Sequence, residues 1–172
     1  LYNLLGLVLA GQKKFDEAIK YYEEGLLIDP NFAIIYNNLG LLFAQGEYKN
    51  DFKKAENYYK KSISINDKLP EPYNNLGSLY NSLLRYDDAV HYYKESIEKN
   101  KEFSQAHYNL GLVYITLGNF IEAKNNLNPF IPNENPHGFY ITPFIDLEEK
   151  PVNFIGQYGI QGYISCNQNI FS

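Results

Sequence analysis

YNNLG stands at residues 36–40 and again at 73–77, with two close variants, YNLLG at 2–6 and HYNLG at 107–111. Their glycines, Gly6, Gly40, Gly77 and Gly111, are 34, 37 and 34 residues apart. A second series follows each of them: DEAIKYYEEGL from Asp16, KKAENYYKKSI from Lys53, DDAVHYYKESI from Asp87 and IEAKNNL from Ile121. The alanines of that series, Ala18, Ala55, Ala89 and Ala123, are separated by 37, 34 and 34 residues. Two interleaved series with one period define a repeat. Its three extra residues fall between Gly40 and Ala55, in QGEYKNDF at 45–52.

Each unit reads as two amphipathic helices joined by a short turn, which makes the chain all-α. Tyr36, Leu39, Gly40 and Phe43 fall at i, i+3, i+4 and i+7, one apolar stripe at helical spacing. A glycine inside that helix costs about 1 kcal/mol relative to Ala. Its recurrence in four units marks a place where a neighbouring helix comes close. The second helix repeats the stripe as Phe15, Ala18, Tyr22 and Gly25, or Tyr86, Ala89, Tyr93 and Ser96, and its small residues are expected to receive first-helix aromatics. Asp29-Pro30 closes the first unit, and Pro70 with Pro72 opens the third.

A helix–turn–helix of 34 residues with aromatic-x2-Leu-Gly-x2-Tyr, then Ala-x3-aromatic, then Pro, resembles the tetratricopeptide repeat. The resemblance spans residues 1 to about 127, in units 1–32, 33–69, 70–103 and 104–128, the last cut short at Asn128-Pro129. Tyr2, Tyr36, Tyr73 and His107 stand where the pattern has Trp, and only the first unit keeps its closing Pro. The resemblance implies an α-solenoid, a right-handed superhelix whose concave face is lined by the first helices. With each unit's aromatic as position 4, positions 2, 6, 9 and 13 lie opposite the inter-helix core at 100° per residue. They read Ile34, Asn38, Leu41 and Gln45; Glu71, Asn75, Ser78 and Ser82; Gln105, Asn109, Leu112 and Thr116; the first unit supplies Leu4, Leu7 and Gly11.

Asparagine thus recurs at one position as Asn38, Asn75 and Asn109, leucines lie beside it, and Glu71 is the groove's one ionised member. An amide both donates and accepts, so such a row can bond the backbone of an extended peptide without demanding a sequence. The row is similar to the asparagine ladder in the repeat domain of O-linked N-acetylglucosamine transferases. That likeness implies either a free-standing scaffold or the substrate-docking part of such a transferase, whose catalytic part lies elsewhere. A carboxylate clamp of Lys and Arg is missing from these positions. The competing structural role for the asparagines is to brace neighbouring helices. If they serve the ligand, Asn75→Ala with Asn109→Ala weakens binding and leaves thermal unfolding nearly unchanged; if they are braces, stability falls instead.

The tyrosine pairs Tyr21-Tyr22, Tyr58-Tyr59 and Tyr92-Tyr93 recur with the repeat and are assigned to packing. His91 and His107 sit in helices, His137 lies in a Pro- and Gly-rich stretch, and nothing near Cys166 would activate its thiol. No phosphate loop, dinucleotide fingerprint, nucleophile elbow or metal-ligand spacing occurs, so no enzyme, cofactor or metal is expected. A net charge of −5 argues against a nucleic-acid partner, and no apolar run is long enough to cross a membrane. The expected partner is a protein or peptide, with weak self-association through the end units; a cytoplasmic location is the default. LLGLVLAG at 4–11 is assigned to the repeat rather than to a signal peptide.

From Pro129 the helical period stops, and five of the eight prolines fall in the last 44 residues. This tail, 129–172, reads as non-helical or weakly β, either a cap on the array or the start of another domain. GYIS at 162–165 has a faint likeness to the opening of the transferase catalytic region, without the Asp-Phe and His expected after it. A chain that begins at Leu1 and contains no Met reads as a fragment, whose first unit lacks two residues.

Overall fold

The computed structural model describes residues 1–44 and 51–127, and these form eight α-helices without a strand. They are α1 (Tyr2–Gly11), α2 (Phe15–Ile28), α3 (Ala33–Ala44), α4 (Phe52–Ile65), α5 (Pro70–Ser82), α6 (Tyr86–Lys99), α7 (Ser104–Thr116) and α8 (Phe120–Leu127). Gln45, most of the QGEYKNDF insertion and the tail with His137 and Cys166 lie outside the described residues. The helices pair as antiparallel hairpins, and each second helix also packs against the first helix of the next unit. The first helices α1, α3, α5 and α7 touch one another in sequence, which is the arrangement of an α-solenoid.

Short-range chemistry sets the boundaries. Asp51 caps α4 by accepting the Lys54 backbone N–H at 3.0 Å. Pro70 opens α5, where its missing N–H costs nothing. The ends of α2, α4 and α6 share one device that the sequence pattern did not single out. Asp29, Asn66 and Asn100 leave the helix in extended backbone, and their side chains accept the N–H two residues on, from Asn31, Lys68 and Glu102 at 3.0–3.1 Å. Pro30 therefore reinforces a stop that the other units make without it. The turn within a unit needs a left-handed residue, supplied by Lys13, Leu84 and Gly118 with φ of 60°, 59° and 72°; only the glycine takes it without steric cost.

The aromatic at position 4 locks each inter-unit loop. Tyr36 donates its hydroxyl to the Pro30 carbonyl and Tyr73 to that of Asp67, both at 3.2 Å, and His107 Nε2 donates to Lys101 O at 2.9 Å. All three reach back six residues, so the histidine performs the tyrosine's task.

Tyrosine on glycine builds the core. A Cβ at Gly40 would lie 2.5 Å from the Tyr59 ring, one at Gly77 2.6 Å from Tyr93, and Gly6 is covered in the same way by Tyr22. The recurring glycine thus admits the ring of the second helix. The ring-to-small-residue contact runs mainly opposite to the expected direction: second-helix aromatics cover first-helix glycines. Among the second-helix small residues, Gly25 does face Tyr2 and Ile35. Ser62 and Ser96 instead donate to the carbonyls of Ala33 and Pro70, at 2.8 Å each. Tyr22, Tyr59 and Tyr93 are each 1% exposed, and Ala18, Ala55, Ala89 and Ala123 are fully buried beside them. Two clusters result, around Tyr22 and around Tyr59, and Ile19 and Tyr58 pack against both.

This aromatic core makes the array sensitive to alkali. Burial pushes the Tyr22 hydroxyl up to about 12. It does the same for Tyr80, which also donates to the Glu56 carboxylate, and it raises Tyr59 and Tyr93 as well. The ordinary tyrosine value is about 10, so the folded state holds these protons more tightly than the unfolded chain. Their stabilisation is complete below pH 10 and is lost as pH rises toward 12. The midpoint of thermal unfolding is accordingly expected to fall steeply above about pH 10, and Tyr59→Phe to blunt the fall. Circular dichroism melts at stepped pH, with tyrosinate absorbance followed in parallel, would show it. Full tyrosine ionisation near pH 10 without loss of the fold would contradict it.

Candidate functional site

The side-by-side first helices bring positions 5 and 6 of successive units into contact, and asparagines meet there. Asn38 Nδ2 donates to Asn3 Oδ1 at 2.8 Å, Asn75 Nδ2 to Asn37 Oδ1 at 2.8 Å and Asn109 Nδ2 to Asn74 Oδ1 at 2.9 Å. The position-6 residue of one unit thus donates to the position-5 residue of the unit before it, three times over. Asn37, Asn38 and Asn74 are buried, and Asn75 and Asn109 are partly so. Further bonds extend the row: Asn74 Nδ2 to Asn75 Oδ1 at 3.4 Å, Gln105 Nε2 to Asn109 Oδ1 at 3.1 Å, and Asn109 Nδ2 to Ser78 Oγ at 3.5 Å. Ser78 also accepts the Tyr93 hydroxyl at 3.2 Å, tying the groove floor to the core.

The asparagines singled out by spacing therefore brace the first helices. Their partners Asn3, Asn37 and Asn74 were missed, although the doubled Asn of YNNLG displayed donor and acceptor side by side. Ser82 and Thr116 turn their hydroxyls to their own helix, on the carbonyls of Leu79 and Leu112. Leu41 is half-buried against the core. Leu112 is 40% exposed, and on the same face of the other first helices Leu4 is 62%, Leu7 43% and Ile34 41% exposed. Gln45 lies outside the described residues.

Between α3 and α5 the floor opens into a cleft lined by Ile34, Asn37, Asn38, Leu69, Glu71 and Pro72. Each side mixes apolar and polar groups: Ile34 with Asn37 and Asn38 on α3, and Leu69 and Pro72 with Glu71 at the start of α5. Among the described residues, no group of three His, Cys, Asp or Glu side chains could hold a metal ion. No described helix is long and apolar enough to cross a membrane. His91 is exposed, with its ring edge-on to Tyr92 at 5.0 Å.

Hairpins of 34-residue period, stacked with their first helices side by side around an amide-lined face, define a helical-repeat protein. Family models described as tetratricopeptide repeat match residues 1–32, 33–69, 70–103 and 92–125. The chain belongs to the tetratricopeptide repeat family.

Solved structures agree in fold. MamA is 26% identical with a TM-score of 0.59, the match covering 72% of this chain and 70% of that one. BtubC from P. vanneervenii is 27% identical with a TM-score of 0.63, covering 74% and 59%. PilF of Pseudomonas aeruginosa is 25% identical with a TM-score of 0.67, covering 74% and 57%. No curated protein sequence matches this chain.

Proposed function

We propose that the chain is a non-catalytic protein-interaction scaffold that binds an extended peptide segment of a partner along the face of α1, α3, α5 and α7. The observation that carries this reading is the row of exposed aliphatic side chains, Leu4, Leu7, Ile34 and Leu112, set on the otherwise amide- and hydroxyl-lined first-helix face. Aliphatic groups that share one face of the array offer a contact surface to apolar side chains of a ligand. Between them Gln105 is exposed with its side-chain oxygen open to a peptide N–H, and the exposed Ser82 and Thr116 hydroxyls, which donate to their own helix, can still accept one. The asparagines Asn38, Asn75 and Asn109 act here chiefly by holding the first helices at a fixed spacing, so the groove is formed before the ligand arrives. A docking arm for a glycosyltransferase would use the same face, and no described residue favours it over a free-standing scaffold.

Selection from a random-peptide display library tests the proposal. Peptides bound by the wild-type chain should lose at least about ten-fold in affinity to Leu7→Lys or Leu112→Lys, about 1.4 kcal/mol each. Both positions are exposed enough that stability should change by no more than about 0.5 kcal/mol. Unchanged affinity for both variants would place binding elsewhere.

A further inference from the structure

We infer that the cleft between α3 and α5 selects peptides carrying a large aliphatic side chain and a lysine or arginine two residues away. The inference rests on the reading of this face as a peptide groove and names what that groove prefers. Three observations converge on the cleft. Ile34 from α3, with Leu69 and Pro72 from the start of α5, gives it an apolar lining. Asn37 and Asn38 line it while only 8% and 7% exposed, and each has half of its amide unused. The Asn37 oxygen takes the Asn75 bond, but its NH2 has no acceptor among the described residues. The Asn38 nitrogen donates to Asn3, but its oxygen has no donor among the described residues. One free donor and one free acceptor, side by side and open to the cleft from otherwise buried residues, match the C=O and N–H of a peptide backbone.

The third observation is charge. Glu71 is exposed on the cleft wall, has no ion-pair partner among the described residues, and is the single ionised group at the groove positions. A backbone held by Asn37 and Asn38 in extended form puts every second side chain on the same side, about 7 Å apart. An aliphatic group seated on Ile34, Leu69 and Pro72 thus leaves the next same-side residue to meet Glu71, and a cation there is the complement.

The test is peptide display against the wild-type chain and against Glu71→Gln, followed by titration of one selected synthetic peptide and its lysine-to-norleucine analogue. Wild-type selection should enrich aliphatic-x-Lys/Arg, and Glu71→Gln should erase the basic preference while keeping the aliphatic one. The variant should weaken the lysine peptide about three- to five-fold and leave the norleucine analogue unaffected. Peptides that are lost on Leu7→Lys or Leu112→Lys but show no basic preference overturn this inference and leave the groove reading standing. Peptides indifferent to every groove variant overturn both.

Discussion

Tyr59→Ala is expected to cost the array about 3–5 kcal/mol, the loss usual for removing a buried aromatic from a packed core. Tyr59 is 1% exposed, belongs to the larger core cluster, and lies on Gly40, so truncation opens a void between α3 and α4. Neither helix can close the gap without tilting the hairpin. Tyr59→Leu should cost much less, about 1–2 kcal/mol. The protein already makes that exchange: Leu127 covers Gly111 in the fourth unit, where the other three units use tyrosine. Because each unit contacts only its neighbours, a void in the second unit also separates the first from the third. Urea unfolding followed by circular dichroism should therefore show a lower midpoint together with a shallower, less cooperative transition. A loss below about 1 kcal/mol for Tyr59→Ala would mean that the tyrosine-on-glycine contact is not what holds the hairpin.

Asn75→Ala combined with Asn109→Ala is expected to lower stability by about 2–5 kcal/mol, since each change strips the donor from a buried acceptor. The stranded atoms are Asn37 Oδ1 and Asn74 Oδ1, in residues 8% and 6% exposed. Asn74 also donates to Asn75, so the two substitutions share a partner and their costs should not add. Asn75→Asp should be milder than Asn75→Ala, because Asn74 already donates to the side-chain oxygen at this position and the unused Asn37 NH2 can turn to donate to the carboxylate. Chemical denaturation of the single and double variants measures all three. Spacing alone allowed unchanged unfolding with lost binding; the bonds now make a fall in stability the expected result. An unaltered midpoint in every variant would show the bridging bonds to be energetically idle.

Periodicity made most of the fold legible. Gly6, Gly40, Gly77 and Gly111 could only recur inside helices if something close required them, and Tyr22, Tyr59 and Tyr93 meet that requirement at three of them. The amphipathic stripes put Ala18 and Ala89 on the apolar face, the alanine spacing made Ala55 their counterpart, and all three are fully buried. What spacing could not give was the direction of contacts between units. A helical wheel shows which face Asn38 or Asn75 occupies but not which residue of another unit stands opposite. The pairing of position 6 with position 5 therefore appeared only in three dimensions, and with it the double use of the amides. Loop chemistry escaped for a related reason: Asn66 and Asn100 are unremarkable alone and acquire meaning only from their common backbone geometry with Asp29.

The asparagine bridges also bear on how such a chain can grow. A unit with the Asn-Asn doublet, as at 37–38 and 74–75, carries an acceptor for the unit after it and a donor for the unit before it. Gene duplication or deletion of such a unit leaves every bridge intact, because the new neighbours present the same two halves. Asn3 stands beside Leu4 and Asn109 beside Tyr108, so these units hold one half each. Copied into the interior, either would leave an amide without its mate. Tandem copying is thus chemically neutral for the doublet-bearing units and penalised for the other two, so length variation among descendants of this chain should be concentrated in its middle.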